Sequence, residues 1–348
     1  MPYDVVTFGE AMVRLRPKDG LRLEQARDLE VSVGGGELNV AVCCARLGLQ
    51  AAWVSRLPDN PLGRLVRGKA LEQAVCTAHV ITAQDGRAGL YFLEEGASPR
   101  AAAVLYDRAG SSISRIRPGE VDWAKVLTGT KRFHVSGITP ALSKSAAEAT
   151  AEALVAAKQA GCSVSYDLNY RSKLWTKEEA RACQEPLMKH VDILVTTEED
   201  TKVVFGIEMP KTKGVDSERF TRVETFGYRE VARLLAEKYG FKGVAVTLRE
   251  NKSVWFNTWW GLYYDAGQKA YFEAPRYEVE IVDRVGAGDS FAAGLLAGLT
   301  FKPGDFDHAI RFAVATSALK HSIPGDFCIV TRAEVEALIK GGSLRIVR

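Results

Sequence analysis

The sequence predicts an α/β fold with a central, mostly parallel sheet covered by helices on both faces. Short β-rich runs alternate with segments whose apolar residues recur at i, i+3 and i+4, the pattern of strands joined by helices. The chain has 348 residues, enough for a sizeable core. Hydrophobic residues make up 47% and charged residues 26%, which is typical of a folded soluble enzyme and not of a disordered chain.

The elements alternate over most of the length. The candidate strands are residues 4–9, 51–57, 132–136, 163–168, 193–196 and 243–248. The candidate helices between them are residues 37–47, 62–74, 143–160, 177–189 and 228–239, each with helical spacing of its apolar residues. Because consecutive strands separated by helices run parallel, these elements predict one doubly covered sheet.

Two segments, 14–33 and 88–107, interrupt this alternation. The second contains the strand-like runs LYFLEE and AAAVLYD on either side of a Gly/Ser/Pro turn, and neither segment is followed by a helix. We interpret them as a small β lid on a main domain formed by residues 1–13, 34–87 and 108–348. The aromatic stretch 255–272 is expected to form hairpins on the main domain.

Charge and local patterns exclude several classes of protein. The net charge of +3 is spread along the chain, which disfavours nucleic acid and anionic membranes as partners but permits a small anionic substrate. The most apolar stretch, 291–301, is far shorter than the roughly 20 residues of a spanning helix. The N-terminal residues lack the pattern of a secretion signal. Six scattered cysteines without C-x-x-C pairs predict free thiols in a reducing cytoplasm.

The most informative motif is EIVDRVGAGDSFAAG, at residues 280–294. A strand leads into Gly286 and Gly288, and an Ala/Leu-rich helix follows. The first N–H groups of a helix are free and its dipole is positive there, so this turn predicts an anion site that glycines let a phosphate approach. Asp289 beside it has two interpretations: a general base for an attacking hydroxyl, or a simple helix N-cap.

A second glycine turn, VGGGELNVA at residues 33–41, also precedes a helix. It exposes backbone at Gly34 and Gly35, and Asn39 on the first helical turn offers both donors and acceptors, although a plain tight turn is an alternative. Other nucleotide and hydrolase motifs are absent: the sequence contains no G-x-x-x-x-G-K-[ST], no G-x-G-x-x-G after the first strand, no H-E-x-x-H and no G-x-S-x-G.

The two glycine motifs together resemble the signatures of the ribokinase or PfkB carbohydrate kinase family: G-G-x-x-x-N-x-A at 34–41 and D-x-x-G-A-G-D at 283–289. The opening FGE and the D-x-N-x-R of residues 167–171 also match, so the resemblance covers essentially the whole chain. It implies a ribokinase-like α/β fold with a β lid over the sugar, in agreement with the predicted strands and helices.

Within the family the chain most resembles the 2-keto-3-deoxygluconate kinases, through GEAMVRLRP at 9–17, VLYDR at 104–108, DLNYR at 167–171 and ALKHSIPGDF at 318–327. Neutral-sugar kinases carry an Asp five residues after the opening glycine, where this chain has Arg14, which cannot accept hydroxyl hydrogen bonds. Arg108 and Arg171 add cations near the expected substrate. Guanidinium groups bind carboxylates in pairs, so an acid sugar is favoured over fructose, although each arginine alone could be a solvated surface charge.

The resemblance implies a role for each site residue. Substrate contacts are expected from Gly34, Gly35, Asn39, Tyr91, Tyr106, Arg108, Ile138 and Arg171. Nucleotide contacts are expected from Thr197, Thr247, Arg249, Gly286, Gly288 and Lys320. Asp200 is expected to order Mg²⁺ and Asp283 to help hold a monovalent cation such as K⁺. Tyr91 and Tyr106 could instead pack the lid, and His321 could cap a helix C-terminus.

Two departures from the family pattern concern the nucleotide. Asp200 stands where the N-x-x-E motif has a longer acid, and Arg249 and Lys252 stand in place of the usual glycine loop.

The expected function is ATP-dependent phosphorylation of the terminal hydroxyl of 2-keto-3-deoxygluconate. Asp289 would be the base, and the backbone amides of Gly286, Ala287 and Gly288 would stabilise the transferred phosphoryl group. The alternatives are a kinase of 2-keto-3-deoxygalactonate or fructose, and a catalytically silent sugar-binding protein of the same fold. Open edges of the lid predict a homo-oligomer that pairs through it.

Overall fold

A computed structural model of the protein describes residues 2–208 and 225–342. The strands are β1 (Val5–Phe8), β2 (Met12–Pro17), β3 (Leu29–Gly34), β4 (Ala51–Pro58), β5 (Val80–Ala83), β6 (Gly89–Glu94), β7 (Ala103–Asp107), β8 (Arg132–Ser136), β9 (Ser163–Asp167), β10 (Ile193–Thr196), β11 (Gly243–Asn251), β12 (Phe256–Asp265), β13 (Ala270–Glu273) and β14 (Tyr277–Glu280). The helices are α1 (Gly36–Arg46), α2 (Pro61–Glu72), α3 (Trp123–Leu127), α4 (Ile138–Ala141), α5 (Lys144–Gln159), α6 (Lys177–Gln184), α7 (Glu198–Phe205), α8 (Thr225–Tyr239), α9 (Ala287–Phe301), α10 (Phe306–His321) and α11 (Arg332–Ile339).

The main sheet has ten strands in the order β13-β12-β11-β10-β9-β8-β1-β4-β5, with β14 also paired to β12. From β5 to β11 every neighbouring pair is parallel, and β12 then reverses direction and pairs antiparallel with β11, β13 and β14. The predicted α/β class is therefore confirmed, including the hairpins expected from the aromatic stretch. All the parallel strands end at the same edge of the sheet, where ligands bind in such folds.

Helices cover both faces of this sheet, which divides the core in two. Successive residues of a strand point to opposite faces, and the fully buried neighbours Val5 and Val6 accordingly belong to different apolar clusters. Helices α9 and α10 approach closely on one face because α9 has glycines at the contact. A Cβ on Gly294 or Gly298 would lie under 3 Å from the Cα of Ala313 or Ala309.

The lid is a separate four-stranded sheet in the order β3-β2-β6-β7. It is built from the two segments that interrupt the alternation, and β2 pairs in parallel with β6 although the two are far apart in sequence. The lid begins slightly earlier than predicted, at Met12, and its strand β3 ends at Gly34. That ending assigns Gly34 to the lid rather than to the main domain.

Most predicted helix and strand bounds agree with the structure to within three residues. The exception is 177–189, where α6 ends at Gln184 and a 3₁₀ turn continues to His190. Pro186 explains the change, because proline lacks the N–H that would continue the α-helical hydrogen bonding.

Within the predicted main-domain range 108–348, residues 209–224 and 343–348 lie outside the described residues. All six cysteines are free thiols, and no helix in the described part of the chain is both long and apolar enough to cross a membrane.

Candidate active site

A cleft of about 500 Å³ opens at the carboxyl ends of the parallel strands, between this edge and the lid. Residues that follow β1, β8, β9 and β10 line its main-domain wall together with residues of the second half of β11, and lid residues line the opposite wall. The N-terminus of α9 points into the middle of the cleft. The topology therefore brings both glycine motifs to the same site.

The turn before α9 has the geometry of an anion site. Gly286 is the N-cap residue with φ 84°, and a Cβ there would lie 2.1 Å from the carbonyl oxygen of Asp326, so no other residue fits. A Cβ at Gly288 would meet nothing within 4 Å, which shows that this residue faces open space. An anion can therefore approach the first N–H groups of the helix, which have no intrahelical partner.

Asp289 lies in the first turn of α9 and not at its N-cap, so its interpretation as a simple helix cap is wrong. The Asn39 side-chain amide donates a 2.7 Å hydrogen bond to Asp289 Oδ2, which joins the two glycine motifs through their side chains. Burial raises the pKa of Asp289 to about 6, while the Asn39 hydrogen bond and the charge of Arg171 act in the opposite direction. Such a carboxylate is ionised at pH 7 and close to the ideal pKa of a base.

Two further carboxylates, Asp167 and Asp200, line the same cleft. Burial raises the pKa of Asp200 to about 6, and burial together with the charges of Asp289 and Asp200 raises that of Asp167. The Thr197 hydroxyl accepts a 3.1 Å hydrogen bond from the Asp200 N–H and caps α7. No group of three or more metal-binding side chains exists among the described residues. Mg²⁺ needs only one or two carboxylates when phosphates and water supply its other ligands, so Asp200 fits such a role.

The lid contributes one row of side chains to the cleft. Strand register aligns Arg14 with Tyr91 and Tyr91 with Tyr106, so all three share one face of the lid. The rings of the two tyrosines are 6.0 Å apart, and both line the cleft. Arg108, next in the chain after β7, lies 5.5 Å from the Tyr106 ring. Lid packing and substrate contact are thus compatible roles for both tyrosines.

Arg108 is not a free cation. Its Nε donates a 2.7 Å hydrogen bond to Glu10 Oε2, and its Nη2 donates to the same oxygen, in a pair that is almost fully buried. Arg108 Nη1 makes no hydrogen bond within residues 2–208 and 225–342 and remains available to a ligand. The side chain of Arg171 is exposed, lines the cleft and makes no hydrogen bond to the described residues.

Arg14, which stands where neutral-sugar kinases carry an Asp, does not line the cleft. Arg14 is 1% exposed, and its guanidinium binds Asp283 at 2.6 Å and Asp326 at 2.9 Å. Of these three side chains only Asp326 lines the cleft, which leaves Arg14 no direct contact with a sugar. Both partners come from distant parts of the chain, so the sequence alone does not show this pairing.

Three predicted site residues do not line the cleft. Lys320 is fully buried and donates to the carbonyl oxygens of Ile323 and Asp283, at 2.9 and 3.4 Å, so it cannot bind ATP directly. The Asp283 carboxylate is bound to Arg14, which argues against the predicted cation site. Gly34 lies just outside, packed so closely that a Cβ would collide with Asp326.

The structure brings all other predicted residues together at the cleft. They are Gly35, Asn39, Tyr91, Tyr106, Arg108, Ile138, Arg171, Thr197, Asp200, Thr247, Arg249, Gly286, Ala287, Gly288 and Asp289. Sequence reasoning missed Glu10, Asp167, Arg284 and Asp326 as site residues. All four stand inside motifs quoted from the sequence, so their proximity to the glycines was a usable signal, and Asp326 follows Gly325 directly in the 318–327 stretch.

The far end of the cleft suits a nucleotide. Arg249 and Arg284 both face it, and burial together with the nearby Arg249 charge lowers the pKa of Arg284. Beyond them lie Trp259 and His321, whose rings are 4.9 Å apart. His321 Nδ1 is 2.7 Å from the Ser317 carbonyl oxygen within α10, which supports its interpretation as part of the helix terminus.

An anion site at a helix N-terminus, an adjacent buried carboxylate and a lid over the same cleft are the parts that a phosphotransferase needs. Residues 3–326 match the pfkB family carbohydrate kinases, and the chain belongs to this family. It is 38% identical to a 2-dehydro-3-deoxygalactonokinase of Haloferax volcanii, over all of both chains. It is 28% identical to a 2-dehydro-3-deoxygluconokinase of Thermoproteus tenax, over 97% of this chain and 94% of that protein.

The crystal structure of a 2-dehydro-3-deoxygluconokinase from Thermotoga maritima has the same fold. Its TM-score is 0.90 at 43% sequence identity, and the superposition covers 97% of this chain and 99% of that one. The protein is therefore a carbohydrate kinase with the ribokinase-like fold, as the sequence predicts. The alternative of a silent sugar-binding protein is not supported.

Proposed function

We propose that this kinase transfers the γ-phosphoryl group of ATP to the terminal hydroxyl of 2-keto-3-deoxygluconate, which is also called 2-dehydro-3-deoxygluconate. The observation that carries the proposal is the Asp289 carboxylate, held by Asn39 at the open N-terminus of α9. A base and an anion site that share one helical turn can act on the same reacting group.

Asp289 accepts the proton of the attacking hydroxyl as its oxygen forms a bond to the γ-phosphorus. The bond from the γ-phosphorus to the bridging oxygen breaks at the same time, and ADP leaves. The backbone N–H groups of Ala287 and Gly288 stabilise charge on the transferred group, because the helix fixes them in place before the reaction begins; that of Ala287 makes only a 3.3 Å hydrogen bond to the Arg284 carbonyl oxygen. Arg249 and Arg284, on the nucleotide side of the cleft, would bind the other phosphates.

ATP and Mg²⁺ are the proposed cofactors. The family is one of kinases, and Asp200 lies in the cleft with an oxygen-donor side chain suited to Mg²⁺ or to its water ligands. Mg²⁺ neutralises charge on nucleotide phosphates when it is bound. Thr197, directly after β10, and Thr247, in the middle of β11, both line the cleft and are proposed to contact the nucleotide.

The carboxylate of the sugar acid is proposed to bind Arg171 and the free Nη1 of Arg108. Arg171 is exposed, whereas Arg108 is oriented by its pair with Glu10. A guanidinium that is already fixed loses little conformational freedom on binding, which favours a specific contact. Tyr91 and Tyr106 would pack against the sugar from the lid, opposite Gly35 and Ile138.

A second candidate substrate is the galactonate epimer. The Haloferax volcanii relative is named for it, whereas the Thermotoga maritima and Thermoproteus tenax proteins are named for the gluconate form. Both substrates carry the same carboxylate and terminal hydroxyl, so the proposed contacts serve both. The epimers differ only in the orientation of one hydroxyl group.

The test is ADP release at fixed Mg·ATP with four sugars: 2-keto-3-deoxygluconate, 2-keto-3-deoxygalactonate, 5-dehydro-2-deoxygluconate and fructose. We expect the highest kcat/KM for 2-keto-3-deoxygluconate and at least about a tenfold lower value for fructose, because fructose lacks the carboxylate. A higher value for fructose would overturn the acid-sugar proposal. A higher value for the galactonate epimer would change only the stereochemical assignment.

We also propose that two copies pair through the outer face of the lid. Register places Val31, Leu15, Phe92 and Leu105 in one row across all four lid strands, on the face opposite Tyr91. Val31 is 55% and Leu105 59% exposed. An apolar row of this kind favours association with an identical row. Light scattering at micromolar concentration should give the mass of a dimer, and Leu105→Glu should give that of a monomer.

A further inference from the structure

A buried charged cluster lies directly behind the anion site. Arg14 bridges Asp283 and Asp326 there, and Tyr91 donates a 2.5 Å hydrogen bond to Asp326. Lys320 completes the cluster, and all five residues are at most 4% exposed. The cluster joins the lid to the loop before α9 and to the segment that follows α10.

The Lys320 ammonium group has unusual partners for a buried charge. A lysine ammonium group forms ion pairs with carboxylates. Within residues 2–208 and 225–342, however, no carboxylate oxygen lies within 4 Å of Lys320 Nζ. Nζ instead donates to the carbonyl oxygens of Ile323 and Asp283. Carbonyl oxygens that replace a hydration shell are the ligands that proteins offer to monovalent metal cations.

The position of Lys320 gives this charge a functional setting. Its Cε lies 3.4 Å from the point that a Cβ on Gly286 would occupy, so the side chain runs immediately behind the turn of the anion site. Gly286 is the N-cap of α9, and Asp289 follows three residues later. A positive charge fixed there adds to the positive electrostatic potential at the N-terminus of α9, and the charged group itself stays outside the cleft.

The residues around Asp283 do not fit a monovalent metal ion. Its Oδ2 accepts hydrogen bonds from Arg14 and from the Gly325 N–H, and its Oδ1 accepts one from the Val285 N–H. Its carbonyl oxygen is taken by Lys320. No oxygen of Asp283 remains without a partner for K⁺.

We propose that Lys320 is a built-in replacement for a monovalent cation, so that the enzyme works without K⁺. Lys320 is then a positioning residue, which acts on the transferred phosphoryl group through the Gly286 turn. The proposal rests on phosphoryl transfer in this cleft but not on the identity of the sugar.

The first test compares wild-type protein in K⁺, Na⁺ and tetramethylammonium chloride at equal ionic strength, with ATP supplied as its Tris salt. We expect the kcat values in the three salts to agree within about twofold. The melting temperature should show no saturable rise with K⁺ concentration, because no site binds this ion. A severalfold, saturable activation by K⁺, or a saturable rise of Tm, would overturn the proposal. The melting experiment needs no sugar, so it stays informative even if the proposed substrate is wrong.

The second test creates the missing site. Lys320→Ala leaves the carbonyl oxygens of Asp283 and Ile323 facing an empty space, and we expect kcat to fall about 10²-fold in tetramethylammonium. K⁺ should then raise the kcat of this variant at least about tenfold above its value in tetramethylammonium, because the tetramethylammonium ion is too bulky to fill the space. A purely structural role of Lys320 predicts no such rescue, and its absence in a folded variant would contradict the proposal.

The matched control is Lys144→Ala, at an exposed lysine that begins α5. It should behave as wild type in all three salts. The wild-type arms need no variant, so they decide the proposal even if Lys320→Ala does not fold.

Discussion

Replacement of Asp289 by Asn is the sharpest perturbation of the proposed chemistry. Asparagine keeps the size of the side chain and can still accept the hydrogen bond from Asn39, but it cannot accept a proton. With a pKa of about 6, roughly nine-tenths of the wild-type carboxylates are ionised at pH 7. Loss of a general base costs about 10²–10⁴ in rate, or about 2.7–5.5 kcal/mol of transition-state stabilisation.

The assay is kcat by coupled ADP release, together with Mg·ATP affinity by calorimetry. We expect kcat of Asp289→Asn to fall by about 10²–10⁴. The affinity for Mg·ATP should change little, because the N–H groups of α9 remain. Asp305→Asn is the matched control, since Asp305 is the N-cap of α10 and Asn caps equally well. If Asp289→Asn kept more than about a tenth of kcat, the assignment of Asp289 as base would be refuted.

The same substitution should make the protein more stable at neutral pH. The folded-state pKa of Asp289 lies above the usual value of about 3.9, so its charge destabilises the fold above pH 6 and costs nothing below about pH 4, where the group is protonated in both states. We expect Asp289→Asn to gain about 1 kcal/mol at pH 7, a figure reduced because the side chain is half-buried. Denaturant unfolding at pH 7 and pH 4 measures this gain, and an equal gain at both pH values would contradict the burial of a charge as its cause.

Three further predictions follow from the same contacts. The kcat/KM of wild type should fall as the pH drops through about 6, because protonated Asp289 cannot act as base; a profile flat from pH 5 to 8 would contradict this. Arg171→Ala and Arg108→Ala should each raise KM for the sugar acid about ten- to a hundredfold with little change in KM for ATP, and a comparable loss with fructose would argue against a carboxylate contact. Gly286→Ala should abolish activity and cost more than about 2 kcal/mol of unfolding free energy, whereas Gly304→Ala, with a similar φ of 83° but nothing within 4 Å of its Cβ, should cost only about 1 kcal/mol.

The fold and the anion site could be predicted because their signals are local. The glycine turn at Gly286 and the fifteen residues of α9 that follow are contiguous in the chain, and steric rules for glycine and helix termini apply directly to such a stretch. Lid segments were recognisable because they lack following helices. The early end of α6 was also readable in principle, since Pro186 stands inside the predicted helix.

The roles of single charged residues could not be predicted in the same way. Arg14 pairs with Asp326 across 312 positions, and Arg108 pairs with Glu10 across 98. Nothing in the spacing of a sequence shows that such partners meet, because the topology of the sheet and lid brings them together. The same limit explains Lys320, which a family resemblance placed at the nucleotide and the structure places behind the anion site.

The most direct measurement of the central claim is a ³¹P NMR spectrum of wild-type enzyme with equimolar Mg·ATP and 2-keto-3-deoxygluconate. Our account predicts that the γ-phosphate signal disappears and one phosphomonoester signal replaces it, coupled to the two protons of the terminal CH₂ group. A signal coupled to a single proton would show transfer to a secondary hydroxyl. Release of inorganic phosphate alone, or an unchanged ATP spectrum, would contradict the proposed reaction.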